Sequence, residues 1–190
     1  MQKFLAYFVL ATILITGWSA CSKDDPNPSV DNSFYFNCKV NGTAWSAQQL
    51  TDPAIAAIIK IDSMPTALIR NDSLIIGAMA ALGTDTSAVI LIAKISNTSD
   101  VTGTYTFDGS ISQIGGTGKA IGVYAGKKTD FIAYLLNPSA FKIKDGAQLK
   151  ITKHANNKLS GEFNFIIQNL ISFTDLYNVS EGKFQNLQIR

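Results

Sequence analysis

Phe34-Tyr35-Phe36-Asn37-Cys38-Lys39-Val40-Asn41-Gly42-Thr43-Ala44-Trp45-Ser46 is the stretch that decides the fold. Phe34, Phe36, Cys38 and Val40 alternate with Tyr35, Asn37, Lys39 and Asn41. A period of two places the first set on one face of a pleated strand and the second on the other, so the segment reads as a half-buried strand. Asn41-Gly42 supplies two residues that tolerate positive φ, as a type I′ turn requires. Residues 34–40 and 43–49 are therefore expected to pair as a hairpin.

Working outward, strands are expected at 73–80, 88–95, 103–107, 119–125 and 130–136. Segment 88–95 (AVILIAKI) is apolar on both faces and rich in β-branched residues, so it reads as a central strand covered on each side. Gln148 to Lys153 and Leu159 to Ile167 flank a polar turn at Asn156-Asn157, giving a second hairpin. Phe184 to Ile189 reads as a closing strand. Asp52-Pro53 followed by Ile55, Ile58 and Ile59 has a capped start and an i, i+3, i+4 face, which predicts a short helix near 53–60. The β-branched run IIKI works against it. The sum is an all-β chain, expected as an antiparallel two-sheet β-sandwich, with a calycin-like β-barrel as the alternative. A barrel would enclose a deep apolar cavity, whereas a sandwich brings its sheets to about 10 Å and leaves little space.

The chain has 190 residues, with 16 basic and 14 acidic groups and a net charge of +2, which offers nucleic acid no broad attraction. One His excludes any mechanism that needs two, and 2 Cys exclude a disulfide framework or a Cys-based zinc cluster.

The amino terminus reads as an address. Lys3 is the positive start, Phe4 to Ile15 the apolar stretch, and Ser19-Ala20 the small residues of a cleavage site, so residues 1–20 read as a signal peptide. The apolar run is shorter than the roughly 20 residues of a membrane span. Residues 22–32 (SKDDPNPSVDN) lack apolar periodicity and read as a flexible tether reaching at most about 35–40 Å. Residues 33–190 read as one all-β domain. Loss of residues 1–20 removes only Lys3 among charged groups, leaving 16 less one basic against 14 acidic, close to neutral.

Ser19-Ala20-Cys21 resembles the lipobox of bacterial lipoproteins, with Trp18 where that family carries an aliphatic residue. The resemblance implies lipidation of Cys21 and cleavage before it. Several acyl chains would hold the protein essentially permanently, since each buried methylene contributes about 0.8 kcal/mol. Ser22-Lys23-Asp24-Asp25 resembles the export signal of Bacteroidota surface lipoproteins. That resemblance implies Lys23, Asp24 and Asp25 as the signal and the exterior face of the outer membrane as the location. The run from Phe36 to Trp45 is similar to the opening of an uncharacterised family of Bacteroidota outer-membrane lipoproteins. Gly103-Thr104-Tyr105, Leu159-Ser160-Gly161-Glu162-Phe163-Asn164-Phe165 and Glu181-Gly182-Lys183-Phe184 extend the similarity. This implies fold and location and brings no catalytic residues.

The chemical motifs each have a plainer reading. Gly115-Gly116-Thr117-Gly118-Lys119 lacks the first Gly and the final Ser or Thr of a phosphate loop, with Gln113 and Ala120 in their places, and reads as a hairpin loop. His154, beside Asn156 and Asn157, has no orienting acid or nucleophile at a telling spacing. Asp108, Asp130 and Asp145 flank predicted strands and read as turn supports. Cys38 sits in an apolar row and reads as a buried thiol. Trp45, Tyr35, Tyr105, Tyr124 and Tyr134 are candidates for a sugar-stacking platform, but alternating aromatics in β proteins usually build the core. The expectation is a non-enzymatic, surface-exposed, lipid-anchored module that binds a glycan or protein partner, with no metal, cofactor or catalytic residue. A cell-surface glycan hydrolase or carbohydrate-binding accessory protein, and an apolar small-molecule carrier, are the alternatives.

Cys21→Ala is expected to release the protein from the membrane fraction into the soluble fraction of fractionated cells; unchanged retention would contradict lipidation.

Overall fold

The hairpin forms where expected, except that Phe34 precedes the strand and is exposed instead of joining the inward row. β1 (Tyr35–Val40) and β2 (Thr43–Ser46) pair antiparallel, joined by Asn41 at φ 50° and Gly42 at φ 81°. The computed structural model describes residues 33–49, 64–82, 85–107, 109, 114–171 and 173–190, all within the unit Asn32–Arg190. The signal peptide, Cys21, the tether and the helix expected near 53–60 lie outside the described residues.

The remaining elements are β3 (Thr66–Arg70), β4 (Ser73–Leu82), β5 (Asp85–Lys94), β6 (Gly103–Phe107), β7 (Lys119–Ala125), α1 (Lys128–Leu136), β8 (Phe141–Ile143), β9 (Gln148–Ala155), β10 (Lys158–Asn169) and β11 (Thr174–Gln188). A single-turn 3-10 helix, Pro138–Ala140, precedes β8. The strands form one 11-stranded sheet in the order β2-β1-β11-β10-β9-β6-β7-β5-β4-β3, with β8 paired to β10 off this path. Every pairing on the path is antiparallel except β6–β7, which is parallel and spans only Thr106↔Lys119 and Phe107↔Ala120.

That narrow parallel seam is where the sheet folds over on itself. The strands β2-β1-β11-β10-β9-β6 then face β7-β5-β4-β3 across one shared core, which makes the fold sandwich-like. Trp45 Nε1 of β2 donates to Ser87 Oγ of β5 at 2.8 Å, and the Trp45 ring meets Tyr124 of β7 edge-on at 6.3 Å. The path stays open rather than closing into a barrel, its ends being β2 and β3. The isolated bridge Ala67↔Ile189, the Arg190 N–H to Ala67 carbonyl bond (3.0 Å) and the bond from Thr66 Oγ1 to the Gln188 carbonyl (3.2 Å) tie β3 to the end of β11. The sequence suggests two separate sheets; the β6–β7 pairs join them into one.

Rings fill the interior. Phe36, Phe163 and Phe184 pack with centroids 5.2–5.8 Å from Phe36, and Phe165 lies beside Phe107 at 5.7 Å. Three glycines make room for these rings. A Cβ on Gly182 would lie 2.6 Å from Phe163, its cross-strand partner. One on Gly161 would meet Phe184, also its partner, at 2.6 Å, and would run into the Lys150 carbonyl. One on Gly122 would meet Phe107 at 2.6 Å.

Segment 88–95 is central as expected. β5 lies between β4 and β7, with Val89, Leu91 and Ala93 buried in the core and Ala88 and Ile90 buried on the opposite face. The Asn156-Asn157 turn also holds, both residues at positive φ. Other expectations need correction. Segment 130–136 is helical, not a strand. Asp130 Oδ2 accepts the Gly126 and Lys127 N–H groups (3.0 and 3.3 Å), satisfying donors at the start of α1. Tyr177 Oη of β11 donates to the same oxygen at 2.7 Å, and Tyr134 Oη donates to the Tyr124 carbonyl at 2.9 Å. Asp130 and Tyr134 are four residues apart, so one helical face holds both anchors. A short apolar run such as DFIAYLL cannot reveal this through its own periodicity. Gly115 to Lys119 leads into β7 from the parallel β6, so it is not a hairpin loop. The expected closing strand is the last part of the much longer β11, and β3 and β8 are additional.

Gly161→Ala is expected to destabilise the domain by about 1–3 kcal/mol through overpacking. Gly116→Ala, where a Cβ meets nothing within 4 Å, leaves the thermal midpoint unchanged. Equal midpoints for the two variants would show that ring-on-glycine packing does not limit stability.

Candidate functional site

The outward faces of β1, β11, β10, β9 and β6 carry polar side chains in register. Asn37 pairs with Lys183, Lys183 with Glu162, Glu162 with Lys150, and Lys150 with Thr104, so one row crosses five strands. Two residues along, Asn164 pairs with Gln148 and Gln148 with Thr106. Alternation puts these groups outside because their neighbours Phe36, Gly161, Phe163, Leu149 and Ile151 are buried.

The row is broken at one place. The registers of β1–β11 and β10–β11 both shift around Ser180-Glu181, and Glu181 has φ 52°. This is a β-bulge with a non-glycine residue in the left-handed region. Such a conformation costs a side-chain-bearing residue roughly 1–2 kcal/mol. The Glu181 carboxylate accepts from Lys39 Nζ at 2.8 Å and remains 65% exposed, so the exposed pair repays little of that cost.

Two open depressions lie beside the bulge. One, about 160 Å³, is lined by Gln148, Lys150, Glu162, Asn164, Glu181 and Lys183 along with the backs of Phe163 and Gly182. The other, about 150 Å³, runs from Asn164 past Asn178 and Ser180 to Lys144 and Asp145. Asn164 lines both, so the depressions adjoin. Lys150 and Lys183 flank Glu162 in register, giving one carboxylate between two ammonium groups. The arrangement can accept and donate hydrogen bonds and pair with a carboxylate or sulfate on a polar ligand. Among the described residues, no group of three or more His, Cys, Asp or Glu comes together.

The residues singled out in sequence lie elsewhere. Trp45, Tyr105, Tyr124 and Tyr134 are only 5–9% exposed and belong to the core, so they form no stacking platform. Burial raises the Tyr134 phenol above its ordinary range, and burial together with the bond to Asp130 raises that of Tyr177. Cys38 is buried, and desolvation pushes its thiol up to about 12, in keeping with a packing role. His154 stands at the end of β9, half-buried, where Nδ1 accepts the Val101 N–H at 3.3 Å. It braces the 95–102 loop. Asp100 in that loop accepts from the Thr102 N–H and hydroxyl, which hold its carboxyl below the usual range. Asp130 anchors α1, Asp145 sits in a turn at the rim of the second depression, and Asp108 lies outside the described residues. The Gly118 N–H donates to the Lys94 carbonyl and the Lys119 N–H to that of Gly116, so these donors of the glycine-rich segment are already engaged.

Sequence reading missed Lys150, Glu162, Glu181 and Lys183 as a group. Alternation along 159–167 already sets Glu162 outward, but its partners come from strands whose register no local signal specifies. No family model matches this chain, and neither a curated protein nor a solved structure matches it.

Glu181→Gly is expected to be more stable than Glu181→Ala by about 1 kcal/mol in chemical denaturation, because both lose the Lys39 contact and only glycine relieves the left-handed backbone. Matching midpoints would mean the bulge stores no strain.

Proposed function

We propose that this chain is a lipid-anchored binding module of the outer membrane, displayed toward the cell exterior, which takes a polar ligand on the bulged face of β1, β11, β10 and β9. The observation that carries the reading is the Ser180-Glu181 bulge. A charged residue is held in an unfavourable backbone conformation at the meeting point of two depressions. Strain of this kind concentrates at functional positions. The surrounding groups are Lys, Glu, Asn and Gln on an exposed strand face, which suits a hydroxyl-rich or acidic glycan, or a polar protein segment. The apolar carrier reading has less support, because rings occupy the space between the facing strands. The anchor rests on Cys21 and its small-residue neighbours, and display on Lys23, Asp24 and Asp25.

A second reading, a glycan hydrolase, draws on Glu162 and Glu181 lining the same depression. Paired carboxylates across a cleft are the requirement for that chemistry. Lys39 engages Glu181, however, and the site is open, so it lacks the dry surroundings in which a carboxyl acts as an acid.

The test has two arms. On intact cells, external protease is expected to cleave the native chain but not the variant with Lys23, Asp24 and Asp25 replaced by Ala, although both stay membrane-bound. Equal cleavage would refute the export signal. In a panel of neutral and acidic polysaccharides, the Lys150→Ala, Lys183→Ala double variant is expected to lose at least about tenfold in affinity. Undiminished binding by the folded double variant would move the ligand off this face, and turnover of a glycan abolished by Glu162→Gln would favour the hydrolase.

A further inference from the structure

Four of the large apolar side chains left exposed gather at one end of the domain. Ile171 (73% exposed) and Phe173 (77%) stand in the turn between β10 and β11. Ile132 (45%) and Leu136 (81%) lie on α1. The two elements share this end because the Leu170 N–H donates to the Ala140 carbonyl at 2.8 Å, and Asn169 pairs with Phe141, just after the helix. Phe173 has φ 56°, a left-handed conformation that is unusual for an aromatic residue. The ring is also among the most exposed of the apolar side chains in the described residues.

Charge around these side chains is uneven. The acids are engaged: Asp130 accepts from Tyr177, and Asp175 pairs with Lys144 at 3.0 Å. Lys127 and Lys142 are exposed and make no ion pair among the described residues. Protruding exposed apolar side chains, with the exposed Lys127 at the start of α1 and Lys142 in β8, match a fluid anionic lipid surface, which needs no shape complementarity. A protein partner would more naturally use a flat or grooved patch.

We propose that this end of the domain dips Ile171, Phe173 and Leu136 into an anionic bilayer, with Lys127 and Lys142 at the phosphates. The proposal does not rest on the lipidated Cys21, but it is compatible with it. Ser33 is held by Asn186 Nδ2 at the far end of β11 from Phe173.

The test uses the full chain in phosphatidylethanolamine–phosphatidylglycerol vesicles. An environment-sensitive fluorophore is placed at Phe173→Cys or, as a control, at the exposed Gly116→Cys. Quenching by lipids spin-labelled near the headgroups is expected at 173 and not at 116. The ratio of inserted to free label should fall about fivefold for each of Lys127→Gln and Lys142→Gln. Retention of the chain by the vesicles reports the amino-terminal anchor separately, so failure of that anchor is distinguishable from failure of the tip. No quenching at 173, or equal quenching at both positions, would overturn the proposal. So would a spectral shift at 173 that follows protein concentration without lipid, which would assign the patch to a second copy of the chain.

Discussion

Aromatic rings seated on glycines govern this architecture. Phe163 covers Gly182 and Phe184 covers Gly161, each ring lying across its own pairing partner on β10 and β11. The absence of a Cβ lets each ring lie down on the opposite backbone, which shields that backbone and fills the core at once. Phe107 and Phe165 likewise lie over Gly122 of β7. Register follows from this packing. A slip of one residue would set a phenylalanine against a side chain and turn the ring row outward.

The candidate site is a by-product of the same strand pair. The β10–β11 ladder is long and must bend to stay with the folded sheet, and its register shifts absorb the bend. One shift falls at Ser180-Glu181, immediately before Gly182. The inner face is thus fixed by ring-on-glycine contact while the outer face is opened by the bulge. Lys39, Lys183, Glu162 and Lys150 gather around that opening from four strands. The Lys39–Glu181 ion pair is exposed and contributes little to stability, so the side chains around the opening are available for a ligand.

The helix offers a different lesson about competing forces. DFIAYLL has the composition of a strand, and nothing in its own periodicity forbids one. Asp130 decides the outcome by accepting two backbone N–H groups and the Tyr177 hydroxyl, a partner 47 positions away. Tertiary hydrogen bonding of one carboxylate overrides the local preference. The same helix then contributes Leu136 to the apolar end of the molecule.

Sequence alone determined whatever depends on neighbours: the alternation of Phe36 to Val40, the positive-φ turns at Asn41-Gly42 and Asn156-Asn157, the two-faced apolar run of β5, and the order of charge, apolar stretch and small residues before Cys21. Each is a local signal, carried by backbone sterics or a period of two. Only the tertiary structure decided what depends on register between distant segments. It joined the two expected sheets through the short parallel contact of β6 and β7, put Trp45, Tyr105, Tyr124 and Tyr134 inside, and aligned Asn37, Lys183, Glu162, Lys150 and Thr104 in one row. Strand pairing carries no local code beyond face and turn, so the packing of rings against glycines had to select it.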